Sequence, residues 1–406
     1  MSMFKEHSHQ IQNAKKNTVG ILFLLIAIRF LSGAGIDLYV PSLPAITHYF
    51  HVTKSLVQLT IVLYVFGVGI GQLFLGALSD SFGRKKLILF GGFIFTAASF
   101  ASVFSENIFS LIVCRFLQGF CVGGLSCICR AVVVDCYTGL KAKRTMSYLS
   151  TAWTVGPILG PFIGGYLQHY FNWQANFYFF SLYGLFIFIC SIILMFETNL
   201  EFQTFRMKKF FKDVWIISTN ALFFWTAFIN VITFSSYIIF NMTGPFLIQD
   251  VLHKTAVFYG HAALFLGVAY FIGTLFNQIL VKYFNLNQII LLGSVSSLFF
   301  SILMLCLAVF LPMNSWNILI PVMLVFFSTS VIFPNIAAKN MQIFPKLAGL
   351  ASAVYGAVVV MGAFIITFLA ALLKTDTQIP MSIAYVILFV VALTLAFVCR
   401  ILQKKS

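Results

Sequence analysis

The chain has 406 residues, of which 61% are hydrophobic and 9% charged, and its mean hydropathy is +0.99. Soluble domains hold roughly 45–50% apolar residues, so a water-soluble fold is excluded; long unbroken apolar runs also exclude a transmembrane barrel, whose strands alternate apolar and polar positions. The formal net charge of +15 comes from bases gathered in short segments between apolar runs, which argues against a nucleic-acid partner.

In chain order, apolar runs bounded by charges or turn residues predict helices over 20–44, 56–78, 87–105, 108–134, 145–168, 175–196, 215–240, 257–281, 286–311, 315–337, 347–372 and 379–400. Each approaches the roughly 20 residues that a hydrocarbon core requires. The fold class expected is therefore an all-α membrane protein of twelve transmembrane helices. The first 19 residues are polar and basic, with no small-residue cleavage site after the first run, so no removable signal peptide is read. An even number of crossings puts both termini on one side. Nineteen of the 25 bases fall on that side, Lys339 and Lys346 among them, against Lys54, Lys254 and Lys374 opposite. The excess of cytoplasmic bases makes both termini cytoplasmic. The longest basic connection, "ETNLEFQTFRMKKFFKD", divides the chain into a six-helix half over 1–197, a loop over 198–214 and a second six-helix half over 215–406. Such halves suggest a pseudo-repeat, although "NQILVKYFNLNQ" in the second half keeps little of the matching first-half stretch beyond Lys282.

Asp37 is the one carboxylate within an apolar run. A buried charge costs several kcal/mol in a membrane, so an intramembrane acid is a functional candidate; Pro41 and Pro44 leave open a solvated acid at a helix end. Arg29, Arg115 and Arg130 are the bases inside apolar runs. Arg115 is the leading cation to set beside Asp37, or else an arginine tied to backbone carbonyls. Arg29 lies about 80° around an ideal helix from Asp37 and is secondary, as is Arg130, which can snorkel to an interface. In "GQLFLGALSDSFGRKK", Gly76 permits close helix approach, Gly83 a sharp reversal, and Asp80 can meet Arg84 or the dipole of the following helix. Gly156, Gly160 and Gly164 recur every four residues with Pro157, Pro161 and Gly165 between and beside them, a smooth and pliant helix face. Tyr39, Tyr64, Gln72 and Asn241 are candidates to line a central cavity. The eight cysteines lack zinc-ligand spacing and read as packing residues. His48, His51, His169 and His253 fall in outer loops, and no metal or cofactor is expected.

"GALSDSFGRKK" resembles motif A of the major facilitator superfamily, and "SDSFGRK" its bicyclomycin-resistance-like drug/proton antiporter branch. "DLYVPSLPAI" is similar to that branch's first-helix signature, with Ser42 where the branch usually has Ala. "CRFLQGF" followed by "VVVDCYTG" resembles motif B, and "GPILGPFIGG" the antiporter motif C. "TGPFLIQDV" and "FPKLAGLASA" are less diagnostic matches in the second half. The resemblance implies alternating access between two six-helix halves, with outward-moving amphipathic drug exchanged for inward-moving protons. It gives Arg115 a part in proton transfer with Asp37. It also makes Asp80, Arg84 and Asp135 a cytoplasmic latch whose charge pairs form when the halves meet on that face. The partners it implies are a small-molecule substrate, protons and membrane lipid, with the chain acting as a monomer in a bacterial inner membrane. A dedicated metabolite or siderophore exporter, a nutrient importer, or a non-transporting receptor on the same fold are the alternatives. No nucleophile–base–orienter set is present to support an enzyme.

Overall fold

A computed structural model describes residues 18–199, 214–344 and 348–405. The basic N-terminal segment, residues 200–213 of the expected central loop and Lys346 lie outside the described residues. Among the described residues there are thirteen α-helices: α1 Thr18–Asp37, α2 Leu43–Phe50, α3 Lys54–Phe82, α4 Arg84–Val103, α5 Ile108–Cys136, α6 Gly139–Tyr170, α7 Trp173–Leu194, α8 Ala221–Pro245, α9 Ala256–Tyr283, α10 Leu286–Phe310, α11 Ser315–Ile343, α12 Ala348–Ala370 and α13 Ile379–Lys405.

Eleven helical segments among them are long and apolar enough to cross a membrane, α1 and α2 counting as one. Helix α6 is the exception. It spans 32 residues, but Lys141, Lys143 and Arg144 open it and Ser, Thr, Gly and Pro fill much of its middle, which lowers its hydropathy. Those three bases, expected in a loop before residue 145, are its first turns. The remaining boundary shifts have local causes. The first expected helix breaks at 38–42, where a 3-10 turn (Val40–Ser42) carries Pro41 and Pro44 opens α2. The side chain of Asn220 accepts from the Phe223 N–H at 2.9 Å and sets the start of α8, which runs into a π-turn at Phe246–Val251. Lys339, expected in a loop, is instead buried in α11, because that helix continues to Ile343; its Nζ donates to Asn287 Oδ1 at the start of α10, 2.7 Å away.

Within the first half α1 packs on α6, α3 on α5 and α4 on α7; in the second, α8 lies on α12 and α13, and α10 on α11 and α13. Two pairs join the halves, α6 with α9 and α3 with α12. Hydrogen bonds and ion pairs across this seam cluster at the end carrying residues 38–54, 246–255 and 371–378, the distal end. Gln58 Nε2 donates to the Met242 carbonyl and Gln249 Nε2 to the Pro41 carbonyl, both at 2.9 Å. Lys54 lies 3.2 Å from Asp376 and 4.0 Å from Asp250, which also faces His48 at 3.7 Å. These contacts tie the halves together at the distal end.

Candidate functional site

Asp37 is the last residue of α1 and is 1% exposed, the one buried carboxylate among the described residues. Both side chains that bind it come from α8, in the other half. Asn241 Nδ2 donates to its Oδ1 at 2.6 Å, and the Tyr237 hydroxyl donates to the same oxygen. Tyr259 of α9 donates in turn to Asn241 Oδ1 at 3.5 Å. The second carboxylate oxygen is buried without a partner.

The glycine stripe of α6 makes this packing possible. A Cβ on Gly160 would sit 3.3 Å from Asp37 Cβ, and one on Gly164 would overlap the Leu38 carbonyl. Gly156 lies likewise on Gly33 and Ala34, whereas Gly165 turns to the other half, against Ala256 and Gly260. Pro157 and Pro161 line a cavity of about 90 Å³ between the halves. It runs from Asp37, Tyr237 and Asn241 along α6, α8, α9 and α11 to Trp153, Thr154, Tyr270 and Phe333. Its walls are mostly apolar and aromatic, with Thr154, Thr233 and Thr329 as small polar points, the lining expected of a small-molecule site.

Of the four residues expected to line the cavity, Asn241 does. Tyr39 and Tyr64 are fully buried around Arg115 instead, whose guanidinium carbon lies 4.2 and 4.1 Å from their ring centroids. A buried guanidinium without a carboxylate finds compensation on aromatic faces, which takes both rings from the cavity. Gln72 packs beside Gly356 at the α3–α12 seam. Arg115 makes no ion pair with Asp37; its Nη2 donates to the Gly35 carbonyl at 2.8 Å and its Nη1 to Gln118 Oε1 at 2.6 Å. Carbonyls of a last helical turn lack intrahelical donors, so Arg115 braces the end of α1 two residues from Asp37. Arg29 donates to the Leu149 carbonyl at 3.5 Å and to Ser126 Oγ, away from Asp37. Arg130 has no hydrogen bond or ion pair among the described residues.

At the opposite, proximal end the charges of the opening turn are joined. Arg84 lies 2.6 Å from Asp80 and its Nε donates to Asp135 Oδ2 at 3.2 Å; Ser79 Oγ accepts from its Nη1 and Thr198 donates to Asp135 at 3.0 Å. The dipole of α4 is met by Glu197 rather than Asp80: its carboxylate accepts from the Arg84 and Lys85 N–H groups at 2.8 and 3.2 Å. Gly83, at φ +98°, leaves the space that this carboxylate fills. Asp80, Arg84, Asp135 and Glu197 all belong to the first half, and Thr198 follows directly on it.

Sequence reasoning missed Tyr237, Gln118 and Glu197. A neutral tyrosine in an apolar helix and an acid at the edge of a basic loop carry little signal. One signal was available: Asn241-x-x-x-Pro245 repeats the spacing of Asp37-x-x-x-Pro41, at an offset of 204 residues.

Comparison with known proteins agrees with this architecture. The chain is 30% identical over 393 residues to an uncharacterized transporter of Rickettsia bellii, covering 95% of this chain and 97% of that one. It is 26% identical to a bicyclomycin resistance protein homolog of Haemophilus influenzae (91% and 93% covered) and 25% identical to multidrug resistance protein D of Escherichia coli (90% and 91%). The fold matches the inward open conformation of the xylose transporter XylE from E. coli with a TM-score of 0.74 at 12% identity, over 93% of this chain and 95% of that one. The model of the Major Facilitator Superfamily matches residues 25–367; this chain belongs to that superfamily and is a multi-pass membrane transporter, not an enzyme.

Proposed function

We propose that the protein is a proton-coupled secondary transporter that exports drugs or other amphipathic small molecules by alternating access. One observation carries this reading: the buried carboxylate among the described residues lies in the wall of the cavity between the halves, held by side chains of the opposite half. A group placed there feels both the contents of the cavity and the relation of the halves, which is what coupling by differential affinity between states requires. In this reading α6 is the fifth of twelve crossings, both termini are cytoplasmic and the conformation faces inward. Arg115 acts on the proton site through the Gly35 carbonyl. The names of the relatives and the glycine–proline face of α6 support export. Bacterial relatives support the inner membrane as its location, and the halves enclose a cavity within one chain, in keeping with a monomer.

The test is flux into proteoliposomes under an imposed pH gradient, across a panel of antibiotics and metabolites. Wild type is expected to accumulate at least one compound in proportion to the gradient, and Asp37→Asn to lose that dependence while keeping its fold. Unchanged gradient dependence in the variant would remove Asp37 from the mechanism.

A further inference from the structure

The two residues that bond across the seam occupy matching places in the two halves. Asp37 ends α1 four residues before Pro41; Asn241 lies in α8 four residues before Pro245. Each helix is then followed by a short helical segment, the 3-10 turn and α2 in the first half and the π-turn in the second, which ends near a histidine with positive φ, His51 at 52° and His253 at 53°. Two residues later, Thr53 and Thr255 cap the next helix through their side chains. Asp37 and Asn241 thus meet face to face across the pseudo-symmetry of the halves, and the meeting point lies just inside the distal contacts made by Gln58, Gln249 and Lys54.

We propose that Tyr237 and Asn241 form a clasp on the ionised Asp37 that holds the distal end shut and so prevents the empty carrier from reorienting. This rests on the functional reading above and adds a task for α8. Both donors converge on one oxygen of the carboxylate, and hydrogen bonds to an ionised acceptor are about twice as strong as neutral ones. Protonation weakens both bonds at once. A substrate entering the cavity reaches the same two side chains, since Tyr237 and Asn241 line it, and releases the clasp by taking over their hydrogen bonds. The carrier then leaves this orientation loaded with either a proton or substrate and stays in it when it holds neither.

Other groups around this point must be separated from the clasp. Arg115 of α5 reaches Gly35, with Tyr39 and Tyr64 on its faces; Tyr259 of α9 touches Asn241; α6 presents Gly160, Pro157 and Pro161, none of them titratable. At the distal surface, His48, Lys54, Asp250 and Asp376 form the remaining titratable set.

The experiment is a distance measurement between spin labels at Glu106→Cys and Thr377→Cys, one in each half at the distal end. It uses the full chain in nanodiscs, with Cys306 replaced. In otherwise unaltered protein the long-distance population grows as pH falls. Tyr237→Phe combined with Asn241→Ala, which removes both charge-assisted hydrogen bonds, is expected to raise that population by more than about tenfold at alkaline pH, the scale of a single such bond, and to flatten its pH dependence. Tyr237→Phe alone, which keeps the ring packed against Phe326, shifts it part of the way and guards against a folding defect in the double variant. His48→Gln keeps the pH response. The clasp is overturned if the double variant responds to pH as wild type does while Asp37→Asn is flat, or if His48→Gln alone removes the response. A response that persists in Asp37→Asn overturns the proton-coupling reading as well.

Discussion

The two halves share a scaffold and differ in where they place charge. At the centre, the first half has a carboxylate at residue 37 where the second has the amide of Asn241, and the two bond to each other. At the proximal end, Arg84 and Asp135, 51 residues apart, have as counterparts Asn287 and Lys339, 52 apart, at the starts and ends of the corresponding helices. Among the described residues, the first half has an ion-pair cluster at this end and the second a buried lysine held by a neutral amide. Arg115, braced against Gly35, stands opposite the apolar Leu319 of α11, also fully buried. Among the described residues, buried charge is thus concentrated in the first half, with Lys339 as the second half's share.

The most damaging way to erase the contrast is to make the centre symmetric. Asn241→Asp places two carboxylates at hydrogen-bond distance, where like charges cannot both ionise without cost. Gradient-driven flux is expected to fall about 5–150-fold, the usual span of a coupling free energy. Exchanging the two residues, Asp37→Asn with Asn241→Asp, restores one donor and one acceptor and should recover part of the loss; flux in proteoliposomes reads both. A smaller effect is expected at the brace. Arg115→Met leaves the Gly35 carbonyl and the faces of Tyr39 and Tyr64 without their cation, a loss of about 2–3 kcal/mol seen in thermal unfolding in detergent. Leu319→Met, at the matching place, should cost under about 1.5 kcal/mol.

Much of this asymmetry was legible in the sequence, because charge inside an apolar run needs a reason. Asp37, Arg115 and the Asp80–Arg84 turn stood out on that ground, and the ladder of apolar runs anticipated the helices to within a few residues at most ends. What stayed hidden was which neutral residues answer those charges. Tyr237 and Asn241 lie about 200 residues from Asp37, and only the packing of α8 on the end of α1 brings them together. Lys339 looked like one more loop base, because the polar stretch "NIAAKNMQ" hid the continuation of α11 to Ile343. Glu197 looked like part of a basic linker, because a cap on a distant helix leaves no local pattern.

The mildest test of the contrast concerns the proximal end. Asp135→Asn removes one of two carboxylates from Arg84, but Asp80 remains 2.6 Å away and largely solvated, so a loss of about 1 kcal/mol or less is expected. Asn287→Asp works in the opposite direction, giving Lys339 an ionised partner that it does not have among the described residues. The lysine is 5% exposed and its amine already lies 2.7 Å from the side-chain oxygen that would become a carboxylate, so little rearrangement is needed. Part of the attraction is offset by removing the new charge from water, which leaves an expected gain of about 0.5–1 kcal/mol. Thermal unfolding of the two variants side by side should therefore move in opposite directions. If both fall, Lys339 is held as well by a neutral amide as by an acid, and the second half has no unfilled place in its charge pattern.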